Sequence, residues 1–429
     1  MSVCSTSVPD NNMSPELHPA VFTEDMKRTH TILMPAMLPL HWRLLRAAFM
    51  HCGYKAEILR NTGQEVVETG LRYVHNDICY PALLVVGQVI HALEHGGFDT
   101  GHVAVIISQT AGGCRASNYI YLLRRALHTA GFAHVPVISL NVQGMEENPG
   151  FRIDMRMLRN ALAAMVYGDA LMFAANKQRP YELTPGSADA LAESWLQRLE
   201  QLYAEGTAYR RSTMRRMLLR LMQDFADLPT DPTRPTVKVG IVGEVYIKYS
   251  ALGNDNLEAF LSAHNCEYMV PGILHFLLYC VDTYVVDFRL YGGKLKSLLT
   301  NSFAMWVLGR QEKLLRSAIA SAGFPVPAPY SELRASVSGI VGLGNNMGEG
   351  WLLTAEMLDL AEHGYPNIIC AQPFGCLPNH IVGRGMINRV RKVAPQANIL
   401  ALDYDASSSS VNRENRLKLM LATAASRQG

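Results

Sequence analysis

His102-Val103-Ala104-Val105-Ile106-Ile107-Ser108 is an unbroken apolar run rich in Val and Ile. A half-exposed strand or an amphipathic helix would break such a run with polar residues. A strand buried on both faces of a parallel sheet would not. Residues 118–129 (NYIYLLRRALHT) have helical spacing, and 135–140 (VPVISL) read as another strand. Upstream, 31–37 (TILMPAM) is strand-like and 42–52 (WRLLRAAFMHC) is helical. Strands alternating with helices of this length make βαβ units, and hence a doubly wound sheet.

The same alternation returns later in the chain. Residues 237–242 (VKVGIV), 267–270 (EYMV), 367–370 (NIIC) and 398–403 (NILALD) read as strands. Residues 256–263, 351–362, 379–393 and 411–424 read as helices, and 273–319 is largely helical. Between the two blocks, 187–227 is helical with a break near Gly206, and Ser187 is its N-cap candidate. Pro229, Pro232 and Pro235 then crowd 228–235, which makes that stretch the linker candidate. The expected architecture is α/β, with two Rossmann-like doubly wound domains and a helical insertion. Residues 1–28 are expected to be a disordered leader and 29–186 the first domain. Residues 187–235 are then the helical segment with its linker, and 236–429 the second domain.

With 429 residues, the chain exceeds the roughly 250–300 at which one core stops growing. Hydrophobic residues make up 49% and charged residues 18%, a globular composition. A net charge of +2 gives no electrostatic case for nucleic acid. The group Arg210, Arg211, Arg215 and Arg216 fits a solvated helix face. No apolar stretch reaches the roughly 18 residues of a membrane span, and the polar start lacks the pattern of a signal peptide. The expected address is cytoplasmic. Cysteines stay reduced there, so the eight present are core thiols, nucleophiles or metal ligands.

Four of them stand out: Cys79 in NDICYP, Cys114 in SQTAGGCR, and Cys370 and Cys376 in ICAQPFGC. Cys114 follows a buried strand, Cys370 ends the expected strand NIIC, and Cys376 lies in the loop after it. Ligands of open α/β sheets bind at such carboxyl ends. Cys79 stands just before a helix that Pro81 can start. Helix starts offer unpaired N–H groups and partial positive charge, which favour thiolates and an anionic cluster in an electropositive cleft. Gly112, Gly113 and Gly375 would let backbone approach sulfur closely. Spacing alone also fits four unrelated buried or loop thiols. Five residues separate Cys370 from Cys376, outside the two-to-four of structural zinc pairs. Cys4, Cys52, Cys266 and Cys280 read as structural, with Cys266 and Cys280 the better candidates for extra ligands.

Together, NDICYPALLVVGQ (76–88), SQTAGGCRASNY (108–119), YGDALMF (167–173), RPYE (179–182), GIVGEVYIKY (240–249), GEGWLLTAEM (348–357) and ICAQPFGCLPNHIVGRG (369–385) carry a resemblance. From about residue 31 onward the chain resembles the carboxy-terminal portion of the large activators of 2-hydroxyacyl-CoA dehydratases. More broadly, it is similar to the dehydratase B-subunit and double-cubane cluster protein superfamily. The resemblance implies two Rossmann-like domains with an iron–sulfur cluster between them, held by Cys79, Cys114, Cys370 and Cys376. It also implies ATP-driven, low-potential electron transfer, and radical chemistry on acyl-CoA thioesters in relatives. GGCRASNY departs slightly from the commoner threonine-containing form. Activators of this kind carry actin-like ATPase domains ahead of the region, where about 30 residues stand here, and no G-x-x-x-x-G-K-[ST] loop occurs. The expectation is therefore a separate ATPase activator as partner. The cluster would be a single 4Fe-4S cubane or a bridged double cubane. The latter needs further ligands, from Cys266 or Cys280 or from a shared homodimer interface. A zinc-stabilised, non-enzymatic binding module is the alternative of another class.

Other features are weaker. His91-Ala92-Leu93-Glu94-His95 matches H-x-x-E-H but reads as a helix end. Residues 342–348 (GLGNNMG) lack the strand a dinucleotide loop needs and read as a turn. Glu244, Lys248 and Tyr249 follow a strand and either face the site or pack on the sheet end. Asn379 and His380 follow Cys376 closely enough to support it. Arg115 either offsets cluster charge or pairs with a carboxylate.

Overall fold

A computed structural model describes residues 19–75, 77–108, 113–140 and 148–426. Cys4 and the leader up to residue 18 lie outside the described residues, as do Asn76 and the 109–112 stretch with Gly112.

The first half begins with a helical turn, α1 (Met26–Thr29), followed by β1 (Thr31–Met34), α2 (Pro39–His51) and β2 (Lys55–Ile58). Next come α3 (Gln64–Tyr73), α4 (Tyr80–His95), β3 (Val103–Ser108), α5 (Tyr119–Thr129) and β4 (Val137–Leu140). Its strands are all parallel, in the order β2-β1-β3-β4, with Thr31 in register with Lys55 on one side and Val103 on the other. In β3 every residue but Ser108 is buried, as the opening run requires. Helices on both faces supply that burial.

Three long helices follow: α6 (Met155–Gln178), α7 (Ser187–Ala204) and α8 (Arg211–Ala226). Asp154 caps α6 by accepting the Met157 N–H at 2.7 Å. Ser187 is not the cap of α7. The Glu182 carboxylate takes that role, accepting from the Gly186 N–H at 2.6 Å and the Ala188 N–H at 2.8 Å. The proline-rich stretch after α8 is strapped down, not free. Thr230 bridges to Glu182, and the Asp231 N–H donates to the Tyr181 carbonyl at 2.7 Å.

The second half runs β5 (Val237–Gly243), α9 (Val245–Tyr249), α10 (Leu257–Ala263), β6 (Cys266–Met269), α11 (Ile273–Tyr291) and α12 (Leu295–Ser321). It continues with α13 (Tyr330–Ser336), α14 (Trp351–Glu362), β7 (Asn367–Pro373), α15 (Ile387–Val393), β8 (Asn398–Tyr404) and α16 (Ser410–Ser426). The helix expected over 379–393 is broken. Its first part is a π turn, Asn379–Gly383, then a 3-10 turn, before α15 begins. The sheet is again parallel, in the order β6-β5-β7-β8. Both sheets thus wind alike, and the protein is α/β with two doubly wound parallel sheets. Among the described residues no helix is long and apolar enough to cross a membrane.

α6 ties the halves together. Its Asp169, 4% exposed, accepts from His41 Nε2 on α2 at 2.9 Å. The same carboxylate accepts the Ile273 and Leu274 N–H groups at the start of α11, at 2.8 and 2.9 Å. Further along, Lys177 pairs with the buried Glu267 of β6. Inside the second half, Lys248 of α9 pairs with Glu356 of α14 at 3.1 Å, both buried. Lys248 is therefore spent on packing, and the Tyr249 hydroxyl donates to the Pro271 carbonyl at 2.6 Å.

Gly243 closes β5 at φ +145, where a Cβ would stand 1.8 Å from the Ala371 carbonyl oxygen of β7. Only glycine fits that approach. Gly243→Ala is expected to cost about 3 kcal/mol or more in urea unfolding, from clash and left-handed strain together. A loss below about 0.5 kcal/mol, the range of a neutral surface change, would refute the close approach.

Candidate functional site

Each sheet reverses its winding between its first and third strands, β1/β3 in one half and β5/β7 in the other. Such reversals open a crevice at the strands' carboxyl ends. Glu244 leaves β5 there, Cys114 lies beyond β3, and the Cys376 loop leaves β7.

Each of these thiols begins a helical turn. Cys79 is the N-cap of α4, with Pro81 in the first turn, and its carbonyl accepts the Ala82 N–H at 2.9 Å. Cys114 starts the 3-10 turn that leads into α5. Cys376 closes a turn onto the Pro373 carbonyl at 3.1 Å, and its own carbonyl accepts the His380 N–H at 3.0 Å. The chain reaches these positions from far apart, yet they gather. The Tyr119 hydroxyl hydrogen-bonds the Cys79 sulfur and lies within electrostatic reach of Cys114. Cys376 in turn lies within electrostatic reach of Cys79.

Cys370 is placed differently. β7 does not end at Cys370 but runs on to Pro373, because Gln372 and Pro373 still pair with Asp403 and Tyr404 of β8. Cys370 is therefore a mid-strand residue, 0% exposed, with its sulfur 3.1 Å from where a Gly383 Cβ would stand. Cys376 is among its electrostatic neighbours. Of the remaining cysteines, Cys280 on α11 shares Glu349 as a neighbour with Cys376. Cys266 is buried in β6, and Cys52 is a half-buried thiol at the end of α2.

Against the electropositive cleft expected from the sequence, the helix starts supply N–H groups, but the side chains that act on the Cys79 and Cys376 thiols include the carboxyls of Glu244 and Glu349. Burial first, and the Glu244 carboxylate next, push the Cys79 thiol well up. Burial, then Glu349, push Cys376 up to about 12. Burial and Glu349 likewise raise Glu244 to about 8, so it keeps its proton near neutral pH. The Arg115 guanidinium donates to the Asp77 backbone carbonyl at 2.5 Å.

Neutral donors serve the sulfurs instead. Besides Tyr119, the Asn379 side-chain amide donates to the Cys376 sulfur at 3.3 Å and to Glu349 at 2.8 Å. The other Glu349 oxygen accepts the Val245 N–H at 2.9 Å. His380 faces the Cys376 carbonyl at 2.9 Å. Gly113 packs on Met347, with a Cβ there only 2.9 Å from the methyl carbon. Among the described residues no three His, Cys, Asp or Glu side chains form a ready shell for a single metal ion.

The crevice can hold sulfur ligands at helix starts, keep them hydrogen-bonded, and keep a protonated carboxyl beside them. Glu349 and Tyr119 were not singled out from the sequence. The available signal for Glu349 was the repeated winding: α4 leads into β3 as α14 leads into β7. Cys79 heads the first of these helices and Glu349 stands at the head of the second.

The other sequence features resolve quietly. His91 faces Glu65 at 3.3 Å and His95 faces Glu94 at 3.7 Å at the end of α4. Residues 342–348 are a turn region leading to α14, with no strand before them. No known family model matches the chain, and no curated protein matches it.

Proposed function

We propose that the protein carries an iron–sulfur cluster in this crevice and works in low-potential electron transfer beside a separate ATPase. The observation that carries the reading is the gathering of Cys79, Cys114 and Cys376, each at the start of a helical turn, with hydrogen-bond donors already aimed at two of the sulfurs. The donor set suits such a group: sulfur at helix starts, with neutral donors around two of the sulfurs. When bound, a cluster supplies one-electron chemistry whose potential the protein tunes. Without metal, burial holds the Cys79 and Cys376 thiols neutral, so loading there must release protons. Tyr119 and Asn379 then orient the Cys79 and Cys376 sulfurs, and Glu244 holds a proton beside them.

A second reading is favoured by the position of Cys370. If that mid-strand thiol is not a ligand, three protein sulfurs leave one iron open to an acyl-CoA thioester, as in a dehydratase-like catalyst.

Anaerobic reconstitution with iron and sulfide counts tests both. Cys79→Ser, Cys114→Ser and Cys376→Ser are each expected to lose most of the iron, and Cys52→Ser to keep it. Full iron in Cys114→Ser would end the cluster reading as drawn. Full iron in Cys370→Ser selects the three-sulfur centre, and loss selects the four-sulfur carrier.

A further inference from the structure

A helix that is apolar on every side is normally covered on every side. α12 is apolar on two opposite faces, and the described residues cover one of them. Its buried residues, Glu312, Leu315, Ala318 and Ile319, all lie in its second half. In the first half, Met305 and Leu308 pack against the core from the inner face. The outer face carries Leu295, Leu299, Phe303 and Trp306, which are 62, 63, 63 and 55% exposed. Steps of four, four and three residues keep them in one stripe along the helix. Where α11 ends, Leu290 and Tyr291 add to it, at 54 and 75% exposed.

The stripe is held in place by its own molecule. Phe303 and Trp306 stack at 5.7 Å, and the Arg310 guanidinium lies over the Trp306 ring at 4.6 Å. At the hairpin end, a Cβ on Gly344 would stand 3.1 Å from the Tyr291 hydroxyl, and the Asn346 amide donates to Asp287 at 2.7 Å. A surface fixed before binding loses less freedom on binding. Aromatic residues with an arginine among them are also the side chains that carry most binding energy between proteins. At roughly 150–250 Å² per aromatic side chain, the exposed parts of Tyr291, Phe303 and Trp306 come to about 400 Å². The three leucines bring the patch towards the roughly 800 Å² that each partner buries in a standard interface, beyond the roughly 300–600 Å² of the largest patch on a typical monomer.

The stripe is complementary to itself. Its spacing is symmetric about residue 301, so that Leu299 answers to Phe303 and Leu295 to Trp306 when the helix is reversed. We propose that the outer face of α12, with the hairpin end, is a self-association surface covered by the same face of a second copy of this chain. Two copies of α12 cross antiparallel on a two-fold axis, with apolar side chains meeting apolar ones. Arg310 then reaches the copy's hairpin end, where Tyr291 offers a ring face. The inference is independent of the iron–sulfur reading. It also has a charge signature, since residues 288–311 hold Arg289, Lys294, Lys296 and Arg310 and no acid. Pairing brings these cations closer together, so salt strengthens it by screening them. An acidic protein or an anionic membrane on the same stripe would instead be weakened by salt.

Sedimentation equilibrium of the full chain, from about 1 to 100 μM, should show a monomer–dimer equilibrium that tightens with added sodium chloride. Phe303→Glu should weaken the dimer by roughly thirtyfold or more, as loss of a dominant contact does. Leu299→Glu repeats the test at a second exposed position, and circular dichroism should show both variants folded. Leu419→Glu, at a leucine of α16 that is 70% exposed, should leave the dimer unchanged. Trp42, Trp195 and Trp351 are buried or half-buried, so Trp306 reports on the surface. Tryptophan emission should move to shorter wavelength as the dimer forms, and Trp306→Phe should abolish that shift. A chain that stays monomeric throughout overturns the inference. So does a dimer that both glutamate variants leave intact, or one that salt weakens.

Discussion

Asp169→Ala is expected to lower the unfolding free energy by roughly 3–5 kcal/mol, the cost of breaking a buried charged network at one partner. The carboxylate serves three donors at once, His41 on α2 and the Ile273 and Leu274 N–H groups of α11. Removing it leaves a buried imidazole and the start of a helix unpaired at a site only 4% exposed. Asp169→Asn keeps one acceptor oxygen and should lose only part of this. Urea unfolding of both variants decides the matter. Equal stability of Asp169→Ala and wild type would mean that the three-way junction does not hold the halves together.

A second large effect is tied to pH. Glu244 has its folded pKa raised to about 8 by burial and by Glu349, against 4.5 for a free carboxyl. The folded state binds this proton more tightly than the unfolded chain does. Its contribution to stability is therefore complete below about 4.5 and is lost as pH rises through about 8. A shift of this size is worth on the order of 5 kcal/mol across the window. Metal-free wild-type protein should lose urea resistance steadily from pH 5 to 8. Glu244→Gln, which can still accept the Ile247 N–H, should remove most of that slope. Parallel pH profiles for the two proteins would show that the carboxyl does not hold its proton.

The strands were legible wherever β-branched residues ran unbroken, as in HVAVIIS and VKVGIV, because burial on both faces leaves a continuous apolar trace. Trp351–Glu362 was legible to the residue, bounded by glycine on each side. α6 was not read as a helix. It is buried nearly all round between Ala163 and Gln178, so it shows no polar face for a helical period to mark. β2 was missed because only Ala56 of its four residues is buried. The end of β7 was misplaced because Gln372 and Pro373 look like loop residues, yet Gln372 is 0% exposed and donates to Asp403 at 2.7 Å. The gathered thiols were named from motif resemblance. The acidic character of their crevice could not be, since Glu244 and Glu349 meet only through folding.

The 24-residue α6 also limits how the molecule can breathe. A proline-rich tether between two lobes would allow them to swing apart. A continuous helix anchored at Asp169 and again at Lys177 acts as a strut, and bending it would break its i to i−4 hydrogen bonds. A clamshell opening of the lobes would have to bend α6 or break its pairings through Asp169 and Lys177.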